Sequence, residues 1–267
     1  MFNSKSGRCI NIALDLGIFG DISFAKGIED LREAIRKILA GEPDVIQLNP
    51  GGFKIFDSLN IKTKTAIALR LDVTNVYEAR EIEHAWDTCN EETIYLAEDS
   101  RIAAVVLNLL NVDENSKLQE QCIQNIQKVC AIANKKNIPL MVEPLVMNSN
   151  GSASATSSGD VTKISSLVRQ AIELGADFIK VDPTNPMSEF HQIVKVASGV
   201  PVLVRGGGKV TPIELLERTK IAMEVGARGV VYGRNVVQHE NPERFIRAIS
   251  KIVHENTSIE AAAELLK

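Results

Sequence analysis

Short apolar runs rich in Val, Ile and Leu recur eight times along the chain, separated by longer segments in which polar residues are frequent. Runs that are apolar at nearly every position are typical of strands buried on both faces in a parallel sheet. The predicted strands are CINIALD from Cys9, DVIQLN from Asp44, TAIALRLD from Thr65, IAAVVLNLL from Ile102, PLMVEPL from Pro139, DFIKVD from Asp177, PVLVRG from Pro201 and GVVYG from Gly229.

Between most of these runs, apolar residues recur at spacings of three and four, which predicts amphipathic helices. The predicted helices cover residues 28–39, 118–134, 161–174, 187–197, 212–225 and 242–254. Thr211 and Asn241 are predicted N-caps because each precedes a proline suited to the first helical turn. Eight strands alternating with helices in 267 residues predict an α/β chain with one (β/α)8 barrel, the TIM-barrel fold, over residues 1–267.

Composition and charge indicate which classes of binding partner the protein lacks features for. With 45% hydrophobic and 24% charged residues, the chain has the composition of an ordinary globular protein. The net charge of −4 and the scattered Lys and Arg residues provide no basic stripe for nucleic acid and no basic helix for a membrane surface. The first apolar run ends at Asp15 without the features of a signal peptide, so we expect a cytoplasmic protein.

Five polar residues interrupt or end the apolar runs, at the positions where a barrel builds its active site. In this fold the site is formed at the carboxyl ends of the strands. The five are Asp15, Asn49, Glu143, Lys180 and Arg205.

Lys180 is the strongest candidate for chemistry. It stands between Ile179 and Val181 and is predicted to point into the barrel. Burial among apolar groups disfavours the ammonium form and lowers the pKa, which leaves a neutral amine able to attack a carbonyl carbon. The alternative is a structural lysine that reaches the barrel rim or pairs with Asp182, which shares its face of the strand.

Glu143 lies inside an apolar strand, where an unpaired carboxylate would be costly to bury. Beside a Schiff-base lysine it is predicted to transfer protons, with a pKa raised by burial. The alternative is an ion pair with Lys180, Arg70 or Arg205. Asp15 has a similar pair of interpretations, as a general base or positioning group, or as a carboxylate that caps a loop.

Glycine-rich segments follow the last two strands, VRGGGK and VVYGRN. The glycines at 206–208 let backbone N–H groups approach an anion closely, and barrels often bind phosphate in the loops after these two strands. Arg234 or Lys209 is predicted to supply positive charge. The alternative is that the glycines form tight turns needed only to close the barrel.

No metal or cofactor is predicted. The four histidines are widely separated and form neither HxH nor HExxH, and no CxxC pair is present. The low-complexity segment 149–160 follows the fifth strand, where a loop either closes over substrate or acts as a flexible linker.

The segments LDLGIFGD, PGGFK, VEP, GADFIKVD, LVRGGGK and YGRNVVQHENP, in this order, resemble the class I aldolases of the archaeal-type fructose-bisphosphate aldolase and deoxyribose-phosphate aldolase superfamily. The resemblance covers residues 9–255. It implies a Schiff-base lysine at Lys180, an aspartate at Asp15, and phosphate ligands among Gly206, Gly207, Gly233 and Arg234.

The chain also departs from that family. The archaeal-type motifs DHG and YPRG are replaced by Asp15-Leu16-Gly17 and Glu143-Pro144-Leu145, so the usual proton-transferring tyrosine is absent. Glu143 in its place is more similar to the glutamate of the tagatose-bisphosphate aldolases. Arg205 stands where the family has a small residue, and an extra arginine favours a second anionic group or a carboxylate on the substrate.

The resulting prediction is a metal-independent lyase that cleaves or forms a carbon–carbon bond in a sugar phosphate, with Lys180, Glu143 and Asp15 as catalytic residues. Arg205, Gly206, Gly207, Gly208, Gly233 and Arg234 are the predicted substrate and phosphate ligands. The alternatives are a Schiff-base acyl or ketol transferase and a non-catalytic sugar-phosphate binding protein. The resemblance further implies a homo-oligomer acting on a small phosphorylated molecule, and the charge pattern predicts no nucleic-acid or membrane partner.

Overall fold

Eight parallel strands close into a barrel in the computed structural model, which describes residues 1–19, 22–77, 82–112, 115–148 and 156–267. The wall runs in the order β1, β2, β3, β6, β7, β9, β10 and β11, and β11 pairs again with β1. The strands are β1 (Cys9–Ala13), β2 (Val45–Leu48), β3 (Ala66–Arg70), β4 (Asp72–Thr74), β5 (Asp87–Cys89), β6 (Ile102–Val112), β7 (Leu140–Asn148), β8 (Thr156–Ser157), β9 (Phe178–Val181), β10 (Val202–Arg205) and β11 (Gly229–Tyr232). All eight predicted barrel strands are confirmed, and with them the TIM-barrel fold.

Helices connect most of the barrel strands. They are α1 (Ile22–Ala25), α2 (Leu31–Ala40), α3 (Pro50–Ser58), α4 (Ser116–Lys136), α5 (Val161–Glu173), α6 (Phe190–Val196), α7 (Pro212–Glu224), α8 (Arg234–Val237), α9 (Pro242–Glu255) and α10 (Ile259–Ala263). Thr211 and Asn241 cap α7 and α9 as predicted, each accepting a hydrogen bond from a backbone N–H of the first turn. Gly175 and Gly226, which end helices before β9 and β11, adopt φ angles of 100° and 98° that L-residues rarely tolerate.

The helix boundaries differ from prediction in places that have a local cause. The helix predicted from residue 28 begins at Leu31, because the Asp30 carboxylate accepts hydrogen bonds from the N–H groups of Arg32 and Glu33. Helix α3 was not predicted. Its first turn contains two glycines, which weaken the helical signal, but Asn49 caps it and Pro50 occupies its first position.

The connection from β3 to β6 contains no α-helix among the described residues between 71 and 101. Strands β4 and β5 form an antiparallel hairpin there, and 3-10 turns cover Ile82–His84 and Glu91–Glu98. This insertion brings Asp72 and Tyr77 to the carboxyl end of the barrel, where the polar side chains are gathered.

Apolar side chains fill two layers. The larger core lies between the strands and the surrounding helices, and a smaller cluster fills the barrel interior. Of the low-complexity segment 149–160, residues 149–155 lie outside the described residues, residues 156–157 form β8, and Asp160 caps α5. Within the described ranges, every helix is too short or too polar to cross a bilayer.

Candidate active site

Alternate residues of the barrel strands point toward the barrel axis, and their chemistry changes along each strand. On β9, Phe178 packs in the interior apolar cluster, and Lys180 follows two positions later on the same face. On β7, Met141 belongs to that cluster and Glu143 follows in the same way. The polar residues therefore form a layer above the apolar one, at the carboxyl ends of the strands.

Lys180 and Glu143 form a buried ion pair within this layer. The Lys180 Nζ lies 2.7 Å from Glu143 Oε2, and the two side chains are 6% and 1% exposed. Burial lowers the pKa of Lys180 below its ordinary value, and the nearby charges of Arg70 and Arg205 lower it further, against the opposing effect of Glu143. The direction of this pKa shift is the predicted one.

The prediction that burial raises the pKa of Glu143 is wrong. Burial alone would raise that pKa, but the positive charges of Lys180, Arg205 and Arg70 together outweigh burial and hold it well below its usual range. The three possible partners considered from the sequence all contact this carboxylate at once. Glu143 is therefore a carboxylate at neutral pH.

Arg70 connects the carboxylates of this layer. Its side chain is completely buried at the end of β3. The Nε atom lies 2.5 Å from Asp15 Oδ2, Nη1 lies 2.8 Å from Asp72 Oδ1, and Nη2 donates to Glu143 Oε2. One planar guanidinium thereby fixes the relative positions of three acids that come from different parts of the chain.

Arg205 also forms ion pairs with two carboxylates. Its Nε lies 2.8 Å from Glu143 Oε1, and its Nη1 lies 3.0 Å from Asp182 Oδ1. A third contact, 3.5 Å long, joins its Nη2 to the hydroxyl of Tyr77. Burial lowers the pKa of Arg205, but Asp182 and Glu143 outweigh burial and hold its pKa above the usual value.

Asp15 follows β1 and lines the same pocket as Lys180 and Glu143. Its Oδ2 accepts hydrogen bonds from Gln47 Nε2 at 2.7 Å and from Arg70 Nε at 2.5 Å. These contacts hold the carboxylate over the barrel interior.

The glycine segments after β10 and β11 border the pocket. Gly206, Gly207, Gly233 and Arg234 line it together with Lys180, whereas Gly208 does not. Gly207 has a φ of 64°, and a Cβ at Gly206 would stand 2.9 Å from Asn235 Nδ2, so neither position accepts a side chain without displacement.

Asn235 holds the glycine segment in place. Its Nδ2 donates to the carbonyl oxygen of Gly208 at 3.2 Å, and its Oδ1 accepts from the N–H of Val210 at 3.0 Å. The Arg218 Nη1 also donates to the carbonyl oxygen of Gly206, at 3.3 Å. Asn235, which follows β11, thereby joins the two glycine segments that were predicted to bind phosphate.

Three aromatic rings stand beside these loops. Phe19, Phe24 and Tyr77, which we call the aromatic wall, have ring centroids 5.1 to 5.3 Å apart. The guanidinium of Arg234 lies over the Phe24 ring, 4.1 Å from its centroid. Phe19 and Phe24 line the pocket directly.

Two residues considered from the sequence lie elsewhere. Lys209 is exposed and donates to Gln238 Oε1 at 3.2 Å, outside the pocket lining. Asn49 caps α3 by accepting from the N–H of Gly52 at 2.7 Å. Over the described residues, no group of three or more His, Cys, Asp and Glu side chains is arranged to hold a metal ion.

Comparison with known proteins identifies the family. The model of the DeoC/LacD family aldolases matches residues 9–239. An uncharacterized aldolase of Saccharolobus solfataricus is 34% identical over 98% of this chain and 95% of its own length. The chain belongs to the DeoC/LacD aldolase family. This aldolase is therefore a lyase, an enzyme that cleaves or forms carbon–carbon bonds.

More distant relatives show how far the likeness extends. A 3-hydroxy-5-phosphonooxypentane-2,4-dione thiolase of Enterobacter is 29% identical to this aldolase over 98% of the chain and 81% of its own length. The structure of an archaeal fructose-1,6-bisphosphate aldolase, with its catalytic lysine bound covalently to the carbinolamine intermediate, superposes with a TM-score of 0.74. That match covers 94% of this chain and 96% of the other at 24% identity, so it establishes the shared barrel fold.

Several residues of this site were not singled out from the sequence. Arg70 appeared only as one of three possible partners of Glu143, and Gln47 and Tyr77 did not appear at all. Arg70 and Gln47 could have been found by the rule that found Lys180, because each is a polar residue inside an apolar run. Tyr77 carries no such signal, since it lies in an insertion whose path depends on the tertiary structure.

Proposed function

We propose that this aldolase is a metal-independent Schiff-base enzyme that cleaves or forms a carbon–carbon bond in a ketose phosphate, with Lys180 as the nucleophile. One observation carries the proposal: a buried lysine with a lowered pKa, 2.7 Å from a carboxylate, lies at the carboxyl end of a barrel. An amine in this setting loses its proton more easily than a solvated lysine does, and a neutral amine attacks carbonyl carbons.

Glu143 transfers the protons of Schiff-base formation. Glu143 Oε2 takes one proton from the Lys180 ammonium and gives it to the ketone oxygen as the neutral amine adds, and it then takes a second proton from the carbinolamine nitrogen. Because the pKa of Glu143 is low, its protonated form is a strong acid. It returns the proton to the carbinolamine hydroxyl, which leaves as water and yields the iminium.

Asp15 takes the proton that carbon–carbon cleavage requires. The iminium accepts the electron pair of the broken bond, while the hydroxyl on the departing carbon loses its proton to become a carbonyl. Asp15 lines the pocket with Lys180 and is fixed by Arg70 and Gln47. Its position supports the role of general base in cleavage and general acid in the reverse addition.

The glycine segments anchor the substrate phosphate. Gly206, Gly207 and Gly233 line the pocket with Arg234, and Gly208 continues the same glycine segment. A phosphate held there places the carbonyl carbon at a fixed distance from Lys180, which lowers the entropic cost of reaction.

Borohydride trapping tests the mechanism. With dihydroxyacetone phosphate present, reduction should leave a covalent adduct on Lys180, located by peptide mass spectrometry. The Lys180→Met variant should lose the adduct and turnover, whereas Lys195→Met, which alters an exposed lysine on α6, should keep both. Turnover that survives Lys180→Met, with no adduct from any phosphorylated ketone, would refute the mechanism.

A second candidate function is acyl transfer from the same Schiff base, favoured by the relatives named as thiolases, at 29% and 27% identity. An assay with the phosphorylated substrate and coenzyme A, in the absence of borohydride, separates the two. A new acyl thioester would establish the transferase, and aldehyde release that does not depend on coenzyme A would establish the aldolase.

The setting in the cell is also part of the proposal. We propose a cytoplasmic homo-oligomer that acts on a small phosphorylated molecule rather than on nucleic acid or membranes. The acidic net charge of −4 and the absence of a basic stripe support the choice of partner. Closed symmetric assembly is common among such enzymes, and light scattering measures it directly.

A further inference from the structure

Building on the proposed function, we propose that the substrate of this aldolase carries a single phosphate and that the rest of the molecule is uncharged, lying along the aromatic wall. The sequence favoured a second anionic group, because Arg205 adds an extra arginine to the family pattern. The contacts of Arg205 point to the opposite conclusion.

The positive charges of the polar layer are already balanced. The cations are Arg70, Lys180 and Arg205, and the carboxylates in direct contact with Arg70 and Arg205 are Asp15, Asp72, Glu143 and Asp182. Among the residues that the structure describes, four acids thus face three cations. A second phosphate in this layer would meet carboxylates before it met an unpaired cation.

Of these three cations, Lys180 and Arg205 line the pocket and Arg70 does not. Binding a phosphate to it means separating its guanidinium from Glu143 and Asp182, at 2.8 and 3.0 Å. Both carboxylates are almost fully buried, so each would be left without its counter-charge in a poorly solvated place. The guanidinium therefore fixes Glu143 instead of serving as an anion site.

The glycine segments remain as the place for one phosphate. Arg234 borders them with its guanidinium 4.1 Å from the centroid of the Phe24 ring, so a phosphate held by the backbone N–H groups lies beside a positive charge.

Two rings of the aromatic wall, Phe19 and Phe24, line the same pocket. The aromatic wall extends from Arg234, which contacts Phe24, to Arg205, which contacts the Tyr77 hydroxyl. Leu16, Phe19 and Phe24 give this side of the pocket an apolar surface. A charged group against it would lose hydration without gaining a partner, whereas a neutral carbon chain would gain contact area.

Simple achiral phosphates test this specificity without assuming a sugar configuration. Hexyl phosphate, hexane-1,6-diol bisphosphate and inorganic phosphate are used to protect Lys180 against borohydride trapping with dihydroxyacetone phosphate. Hexyl phosphate should protect at a concentration about tenfold lower than either of the other two. Equal or stronger protection by the bisphosphate would overturn the single-phosphate proposal, and equal protection by inorganic phosphate would overturn the role of the aromatic wall.

The outcome is separable from failure of the proposed function. If no adduct forms with dihydroxyacetone phosphate, the Schiff-base mechanism fails. The affinities of the same three phosphates, measured by calorimetry, then still decide the number of anionic groups that the pocket accepts.

A variant pair tests the reason. Asp182→Asn removes one counter-charge of Arg205 and should shift the ratio of bisphosphate to hexyl phosphate affinity about tenfold toward the bisphosphate. Asp177→Asn is the matched control, because Asp177 is an exposed aspartate at the other end of β9. Its carboxylate accepts a hydrogen bond from the N–H of Leu140 and does not contact Arg205. Each ratio is measured within one variant, so a general loss of affinity cancels. An unchanged ratio in Asp182→Asn would refute the neutralisation of Arg205 as the cause.

Discussion

The two ends of the barrel interior are built from the same strands but hold opposite kinds of side chain. At the amino ends, Val45, Ala68, Val106 and Met141 form an apolar cluster with other small and medium-sized side chains. At the carboxyl ends, the same strands or the residues directly after them contribute a network of acids, two arginines and Lys180. Along each strand, the change from apolar to polar side chains takes place over two residues.

The contrast between the two ends explains how the protein tolerates so many buried charges. The apolar end gains stability from contact area, and its members can be replaced by similar groups at moderate cost. The polar end gains little net stability, because desolvation offsets the attraction between charges. The polar end depends instead on every charged side chain having a partner of opposite charge. Removing one charged side chain therefore leaves its partner buried without a counter-charge.

The largest effect is expected for Arg70→Met. Three carboxylates lose their common partner, and the free energy of unfolding should fall by about 3–5 kcal/mol. Displacement of Asp15 and Glu143 should also slow trapping of dihydroxyacetone phosphate by about a hundredfold. Urea unfolding and single-turnover trapping measure the two effects.

Arg70→Lys sharpens this test. A single ammonium cannot bridge three carboxylates, so charge alone should restore part of the stability but not the trapping rate. Full recovery of the rate would show that the fork geometry of Arg70 has no role in positioning.

Glu143→Gln is expected to have the next largest effect on chemistry. Loss of proton transfer should slow trapping by about 10²–10⁴-fold. The Glu143 charge raises the pKa of Lys180, so its removal should move the rising limb of the pH–rate profile to lower pH even as the rate falls. A profile that keeps its position would contradict the electrostatic link between the two groups.

The same variant tests the stability of the network against acid. Because the pKa of Glu143 is held below its unfolded value of about 4.3, its carboxylate contributes stability above that pH and the contribution is lost as pH falls through the folded pKa. The wild-type protein should therefore lose stability more steeply than Glu143→Gln in this acidic range. Parallel curves of unfolding free energy against pH would argue against the shift.

At the apolar end, a substitution is expected to lower stability more than it lowers the trapping rate. Leu203 is fully buried in the interior cluster, and Leu203→Ala should lower the free energy of unfolding by about 2–5 kcal/mol through loss of contact and a residual cavity. Its trapping rate per folded molecule should fall far less than that of Glu143→Gln. A comparable fall would show that the two ends of the interior are not separable.

The smallest effect concerns the border between the ends. Asn11 is fully buried on β1, in register with Val45 and Val231, and both atoms of its amide lack a hydrogen-bond partner among the described residues. Asn11→Leu has a similar shape without the desolvation cost, and it should raise the free energy of unfolding by about 1 kcal/mol. A loss of stability in thermal denaturation would instead reveal a buried water bound to the amide.

Particular residues show how much could be predicted. Lys180, Glu143, Asp15 and Arg205 interrupt apolar runs, and the structure gathers all four around one pocket. The pKa of Glu143 was predicted in the wrong direction, because burial can be inferred from a strand pattern but the number of neighbouring cations cannot. Tyr77 was missed for a related reason, since its insertion has no period that places it near Arg205.

The eight strands, most helices and the location of the candidate site at the carboxyl ends of the strands follow from the sequence alone. Apolar periodicity and helix capping act over a few residues, so the local sequence is enough to determine them. The ion network was decided only by the tertiary structure. It joins residues more than fifty positions apart, and the charge state of each depends on distances that exist only after the barrel has closed.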